Sequence, residues 1–169
     1  ETLAKYNVKT IVTACPHCFN TIKNEYPQMG GNYEVYHHTQ FLSKLLAENK
    51  IRINKPLDSI AVYHDSCYLG RHNDIFEEPR NALKAIPSLQ LREMERRLLN
   101  GFCCGAGGGH AWMEESKGKR INQERTEEAL KTGAQMIVSA CPLCLQMFED
   151  GRKALNQEEK VKALDLAEV

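Results

Sequence analysis

At 169 residues the chain is long enough to bury a core, and its 42% hydrophobic and 26% charged residues are the balance of an ordinary globular protein. Twenty-two basic and 22 acidic side chains cancel, which argues against the one-signed field of a nucleic-acid or anionic-membrane binder. No apolar run approaches the ~20 residues of a spanning helix, and the opening Glu1-Thr-Leu-Ala-Lys has no secretory-signal pattern.

In chain order, Thr10-Ile-Val-Thr-Ala reads as a short buried strand, followed by a helix over 16–26 with Pro16 at its first position and Pro27 at its end. Tyr33 to His38 is a weaker strand, and a helix is expected over 39–49. Ser59-Ile-Ala-Val-Tyr-His is a second apolar, β-branched run, then come a helix over 77–86 and a weak strand at Leu89 to Met94. A long helix is expected over 113–132, with Lys117 to Glu128 as its solvated face and Gly133 closing it. Gln135-Met-Ile-Val-Ser-Ala is a third strand, and Pro142 opens a helix over 143–154. Strands alternating with helices give an α/β fold with mainly parallel sheets.

The order is also a broken repeat. Val8 to Phe19 and Ala134 to Leu145 share one pattern at an offset of 126 residues, each ending in Cys-Pro-x-Cys, and the offset carries onward from Val35 to Val161. Residues 1–50 then form the tail of a first unit, and residues 51–169 a second, complete one. With a first residue that is not Met, the chain reads as a piece of a larger polypeptide.

Seven cysteines carry the chemistry. Cys67 is followed by 35 residues, the pair Cys103-Cys104, 36 more residues, then Cys141-Pro-Leu-Cys144, while Cys15-Pro-His-Cys18 repeats the last element. An odd count with two C-x-x-C pairs fits a reducing, cytoplasmic compartment better than a disulfide framework. Soft thiolates from three distant segments are what a metal or iron–sulfur centre needs. Each C-P-x-C falls where a strand hands over to a helix, so its second thiol lies near unpaired N–H groups at the positive end of the dipole. Adjacent Cys103 and Cys104 need irregular backbone, which Gly105-Ala-Gly-Gly-Gly109 supplies, with N–H groups able to approach sulfur.

The arrangement Cys67-x35-Cys103-Cys104-Gly105-x35-Cys141-x-x-Cys144 resembles the cysteine-rich CCG domain of the heterodisulfide reductase family. The run from Cys103 through Trp112 to Glu115, with Arg120 to Leu130, is similar to the C-terminal part of large iron–sulfur oxidoreductases linked to electron-transfer flavoproteins. The resemblance implies that a complete five-cysteine motif holds a [4Fe–4S] cluster, cubane or non-cubane, and that some copies take zinc. It also implies partner domains or subunits of an iron–sulfur/flavoprotein complex, with electrons relayed to a quinone or disulfide acceptor at the cytoplasmic face of a membrane. Where that pattern has Arg-Met after the glycines, this chain has His110-Ala111. Cys15 and Cys18 match the closing pair of a motif whose other thiols this chain lacks.

Two rival readings remain. Cys15-Pro-His-Cys18 also fits a thioredoxin-like dithiol, and four thiolates also fit a zinc-stabilised interaction domain. Among the histidines, His110 is the candidate for tuning a bound centre, His64 reads as a strand-terminal polar contact with donation to a cluster sulfide as the alternative, His17 as outward-facing, and His37-His38 as an improbable shared site. Trp112 reads as core packing for the following helix, with shielding of a bound cluster from water as the alternative. Gly105 to Gly109 is not a dinucleotide fingerprint, because His110 replaces its last glycine.

Overall fold

A computed structural model describes residues 1–113 and 117–169. Its strands are β1 (Thr10–Thr13), β2 (Glu34–His37), β3 (Ser59–Tyr63), β4 (Leu89–Arg92), β5 (Met136–Ser139) and β6 (Lys162–Asp165). Its α-helices are α1 (Thr2–Lys5), α2 (Pro16–Asn20), α3 (His38–Ala47), α4 (Glu77–Lys84), α5 (Ile121–Lys131) and α6 (Pro142–Ala154). Every pairing is parallel: β1 with β2 in one sheet, and β4-β3-β5-β6 in the other.

The larger sheet is covered on both faces, as a parallel sheet must be. Ala61 and Tyr63 of β3, with Met136 and Val138 of β5, face a core built from Leu69, Ile75, Ala82, Leu83 and Ile86. Val62 and Ile137 point the other way, onto Ala129, Phe148 and Met94. Phe19 of α2 is fully buried in the first of these cores, so the segment carrying β1 and β2 is packed against the rest. The helices α5 and α6 cross where Gly151 faces Thr126 and Asn122.

Several expectations change. The strand at Thr10 is not buried: alternate residues of β1 are exposed and Val12 is 44% exposed, because only β2 pairs with it and little covers its outer face. The helix from Pro16 continues beyond α2 as a π-turn over Thr21–Glu25 and a 3₁₀ turn over Tyr26–Met29, so Pro27 opens a tight turn instead of ending the helix. A proline ring clashes with the carbonyl four residues back, and widening the coil relieves that clash. The long helix expected from 113 starts only at Ile121, after Gly118 in the left-handed region. Residues 114–116 of that expectation lie outside the described residues.

The repeat is matched locally. Thr10 pairs with Glu34 and Met136 with Lys162, so β5 follows β1 by 126 residues whereas β6 follows β2 by 128. The offset does not carry onward unchanged, and two residues are inserted between β5 and β6. The ends of the second strands agree in detail: His37 forms a capping box with Gln40, and Asp165 one with Glu168. His38 Nε2 meets Asp165 at 2.9 Å, tying the two segments together. No helix among the described residues is long and apolar enough to cross a membrane.

Candidate metal centre

The array cysteines converge beyond the C-terminal ends of β3 and β5, the edge at which parallel α/β sheets place their ligands. Cys67 follows β3 by four residues, Cys141 is the N-cap of α6 in extended backbone, and Cys144 lies in that helix's first turn. Cys103 and Cys104 come in on the glycine loop. All five line one cavity of about 60 Å³. Cys104, Cys141 and Cys144 are buried, and Cys67 and Cys103 are half-buried.

Local backbone aims the sulfurs. Gly105 is buried with φ +97°, which turns its N–H onto Cys103 Sγ at 3.3 Å. A Cβ at Gly105 would come within 3.0 Å of the Asn122 nitrogen, so close approach as well as dihedral angle calls for glycine. Asp65, two residues before Cys67, is held by a bidentate Arg80 at 2.8 and 3.0 Å and accepts from Leu98 N at 2.8 Å. Arg71 donates to the carbonyls of Leu99 and Gly101, closing the turn after Cys67 onto the run that leads to Cys103.

The thiols titrate as one set. Hydrogen bonds from Cys103, Cys144 and His64 hold Cys104 far below the usual thiol range against its burial. Its bond with Cys144 likewise lowers Cys141. The cost appears on the neighbours: Cys103 is raised by the bond to Cys104 and by burial, and Cys144 by its bonds to Cys104 and Cys141. Burial, then the charge on Cys104, raises Cys67. Five thiols in so small a space cannot all ionise without a cation among them, and a cation with sulfur affinity is the group this donor set fits.

Cys15 and Cys18 stand apart from the cavity lining. Cys15 is the half-buried N-cap of α2 and Cys18 is exposed, with its thiol raised chiefly by the hydrogen bond it donates to Cys15. The seven cysteines thus divide into five and two. His17, between this pair, does not face outward: it lines the five-cysteine cavity and lies 4.3 Å from the Tyr68 ring, which stacks on His72 at 4.3 Å. Tyr68 follows Cys67 directly and supplies an aromatic face that water does not, which is why His17 turns inward.

His64 is more than a strand-end contact. It is 1% exposed and accepts from Arg125 Nε at 3.2 Å. One ligand-type atom from each of His64, Cys104 and Cys144 lies within 4.8 Å of the other two. The sequence conceals Arg125, which falls in the stretch from Lys117 to Glu128 that reads as a solvated face. Yet Asn122, Arg125, Thr126 and Ala129 are all buried, at helical spacing. That spacing is the available signal. His110 is exposed in the 3₁₀ run Gly107–Trp112 and is not among the cavity residues, whereas Gly107 is. Trp112 is 80% exposed and is not core packing. His37 is buried and caps α3 while His38 binds Asp165, so their side chains are committed to structure.

The cysteine-rich domain family CCG matches residues 1–23 and 61–149. The chain is similar to EtfAB:quinone oxidoreductase of Syntrophomonas wolfei, 51% identical over 176 aligned positions covering 100% of the chain and 24% of that protein. It is 52% identical over 165 positions to the Bacillus subtilis protein named probable iron-sulfur-binding oxidoreductase FadF, covering 98% of the chain and 23% of that protein. One component of the dihydromethanophenazine:CoB–CoM heterodisulfide reductase of Methanosarcina barkeri is 38% identical over 161 positions, covering 94% of the chain and 39% of that protein. The chain spans about a quarter to two fifths of these relatives' lengths.

Proposed function

Because the chain belongs to the cysteine-rich CCG domain family, we propose that it is the iron–sulfur electron-transfer module of a larger oxidoreductase. Cys67, Cys103, Cys104, Cys141 and Cys144 would hold the centre, a [4Fe–4S] cluster of cubane or non-cubane form. The observation that carries this reading is the single cavity lined by all five cysteines. When bound, such a cluster supplies reversible one-electron chemistry. The chain's own residues fix its position, direct the Gly105 N–H at sulfur, and exclude water with Ala106, Leu143 and the His17–Tyr68 ring pair. Electrons would pass between a flavoprotein-side donor and a quinone or disulfide acceptor on other domains or subunits, as the names of the relatives suggest.

Residues 1–50 are read as the tail of a first CCG unit and 51–169 as a second, related by a pseudo-two-fold axis. The matched β1–α2 and β5–α6 elements and the paired capping boxes support this division. Cys15 and Cys18 then offer two thiolates of a second centre, zinc or iron–sulfur, whose remaining ligands this chain does not supply.

The test is iron and sulfide analysis with electron paramagnetic resonance on anaerobically prepared chain and its Cys104→Ala and Cys15→Ala variants. Cys104→Ala should abolish or transform the signal, and Cys15→Ala should leave it nearly unchanged. Zinc in place of iron at full occupancy, or equal loss from both variants, would defeat the reading.

A further inference from the structure

A buried histidine next to two buried cysteines invites a reading as a third metal ligand, and His64 with Cys104 and Cys144 has that spacing. The hydrogen bonds around the ring contradict it. Arg125, 0% exposed, lies behind the imidazole, and its Nε donates to His64 Nδ1 at 3.2 Å. Its Nη1 donates to the Arg96 carbonyl at 2.9 Å and to Glu128 Oε2 at 2.8 Å, which anchors the guanidinium in place.

A guanidinium carries donors only. His64 Nδ1 must therefore be the bare, accepting nitrogen, and the single proton of the neutral ring sits on Nε2. A nitrogen that accepts from Arg125 cannot also donate to sulfur, which leaves Nε2–H as the donor available to the nearby Cys104 Sγ. Metal ligation through Nε2 has the opposite requirement: Nδ1 must hold a proton and donate it to a carboxylate, carbonyl or water. Arg125 offers no acceptor, and bonding a metal at Nε2 would leave an imidazolate. The T-shaped contact with Phe148, ring centroids 5.0 Å apart, leaves the ring little freedom to turn over.

We propose that His64 is a fixed N–H donor to the sulfur of Cys104 and not a metal ligand, and that Arg125 is the positioning residue that locks its tautomer. An N–H aimed at a coordinating sulfur withdraws electron density and stabilises the more negative state of a bound centre, so the pair raises the reduction potential without holding iron. The redox consequence rests on the iron–sulfur reading above, whereas the tautomer does not.

Two measurements test it separately. In the metal-free, reduced chain labelled with ¹⁵N-histidine, long-range ¹H–¹⁵N correlation should find His64 protonated at Nε2 and bare at Nδ1. A proton on Nδ1 would overturn the proposal. In the iron-loaded chain, His64→Phe should keep its iron while the one-electron reduction equilibrium constant falls about tenfold, a 59 mV drop. His64→Gln should restore it, since the amide oxygen accepts from Arg125 and the amide N–H donates to sulfur. Arg125→Met should keep iron, lower the potential in the same direction, and allow the Nδ1–H tautomer to appear in the metal-free chain. Iron lost from a folded His64→Phe variant, or a directly bonded nitrogen in pulsed paramagnetic resonance, would make His64 a ligand and refute the assignment. The expected tautomer in a wild-type chain that takes up no iron would sink the cluster reading and leave the hydrogen bond standing.

Discussion

Gly151 lies inside α6, three residues from its C-terminal end, where alanine would ordinarily stabilise a helix by about 1 kcal/mol. Here the sign should reverse. A Cβ at this position collides with Thr126 Oγ1, lies 3.0 Å from the Asn122 carbonyl oxygen and 3.2 Å from Thr126 Cβ. Rotating the threonine relieves only the first contact, and it breaks the 2.7 Å bond from Thr126 Oγ1 to the Asn122 carbonyl. The backbone contact remains, so α5 and α6 must separate. Overpacking of this kind costs about 1–3 kcal/mol, and the lost buried hydrogen bond costs about 1. Set against the propensity gain, Gly151→Ala should destabilise by about 1–3 kcal/mol, a fall in Tm of about 2–12 °C at this chain length. The assay is thermal and urea unfolding of wild type, Gly151→Ala, Thr126→Ser and the double variant. Thr126→Ser removes the methyl but keeps the hydroxyl, so it should recover little, because the Asn122 carbonyl is untouched. A neutral or stabilising Gly151→Ala, or complete rescue by Thr126→Ser, would refute the argument that backbone sets the crossing.

Burial, reinforced by His38, lowers the His37 pKa to about 4, against about 6.5 unfolded. The unfolded chain binds the extra proton between those values, so stability should rise by about 3 kcal/mol from pH 4 to 6.5 on this account. His37→Asn keeps a capping side chain, and its urea midpoints across that range should show a shallower slope; an unchanged slope would exonerate His37. Arg80→Met leaves Asp65 buried without its bidentate partner and should cost about 3–5 kcal/mol in urea unfolding, with a loss under 1 kcal/mol counting against the buried ion pair. Gly105→Ala forces a side chain to φ +97° at a cost of roughly 1–2 kcal/mol and moves the N–H off Cys103. The measurement is iron loss to a chelator, which should be faster than in wild type.

Much of the sheet could be read in advance because its residues are buried on both faces. Met136-Ile-Val-Ser139 is wholly buried and contiguous, which single-sequence hydrophobicity detects. That the five array cysteines line one cavity agrees with their spacing in the sequence. What escaped was polar residues whose burial is balanced by distant partners. Arg125 answers to His64, 61 residues away, and Arg80 to Asp65 and Glu93, 15 and 13 residues away. Periodicity counts apolar residues and so assigned α5 to solvent. Trp112 failed in the other direction, since a large apolar side chain implies burial only on average and this one is 80% exposed. The two-residue insertion before β6 lies in a connection whose length the strand pattern does not constrain.

The pairing of Ala61 with Met136 has a consequence for the order in which the protein assembles. That contact closes a loop of 75 residues, against 30 for Ser59 with Leu89 and 26 for Met136 with Lys162. The longer closure costs about 1 kcal/mol more in chain entropy than the shortest, and parallel pairings of this range form slowly. The two flanking pairs can therefore form as local units before the sheet joins at its centre. Cys67, Cys103 and Cys104 belong to the closing loop, while Cys141 and Cys144 travel with β5 and α6. Until the middle strands meet, the nascent chain carries three of the five array thiols on one part and two on the other. Joining them closes the longest of these loops, and it is also the step that creates the site.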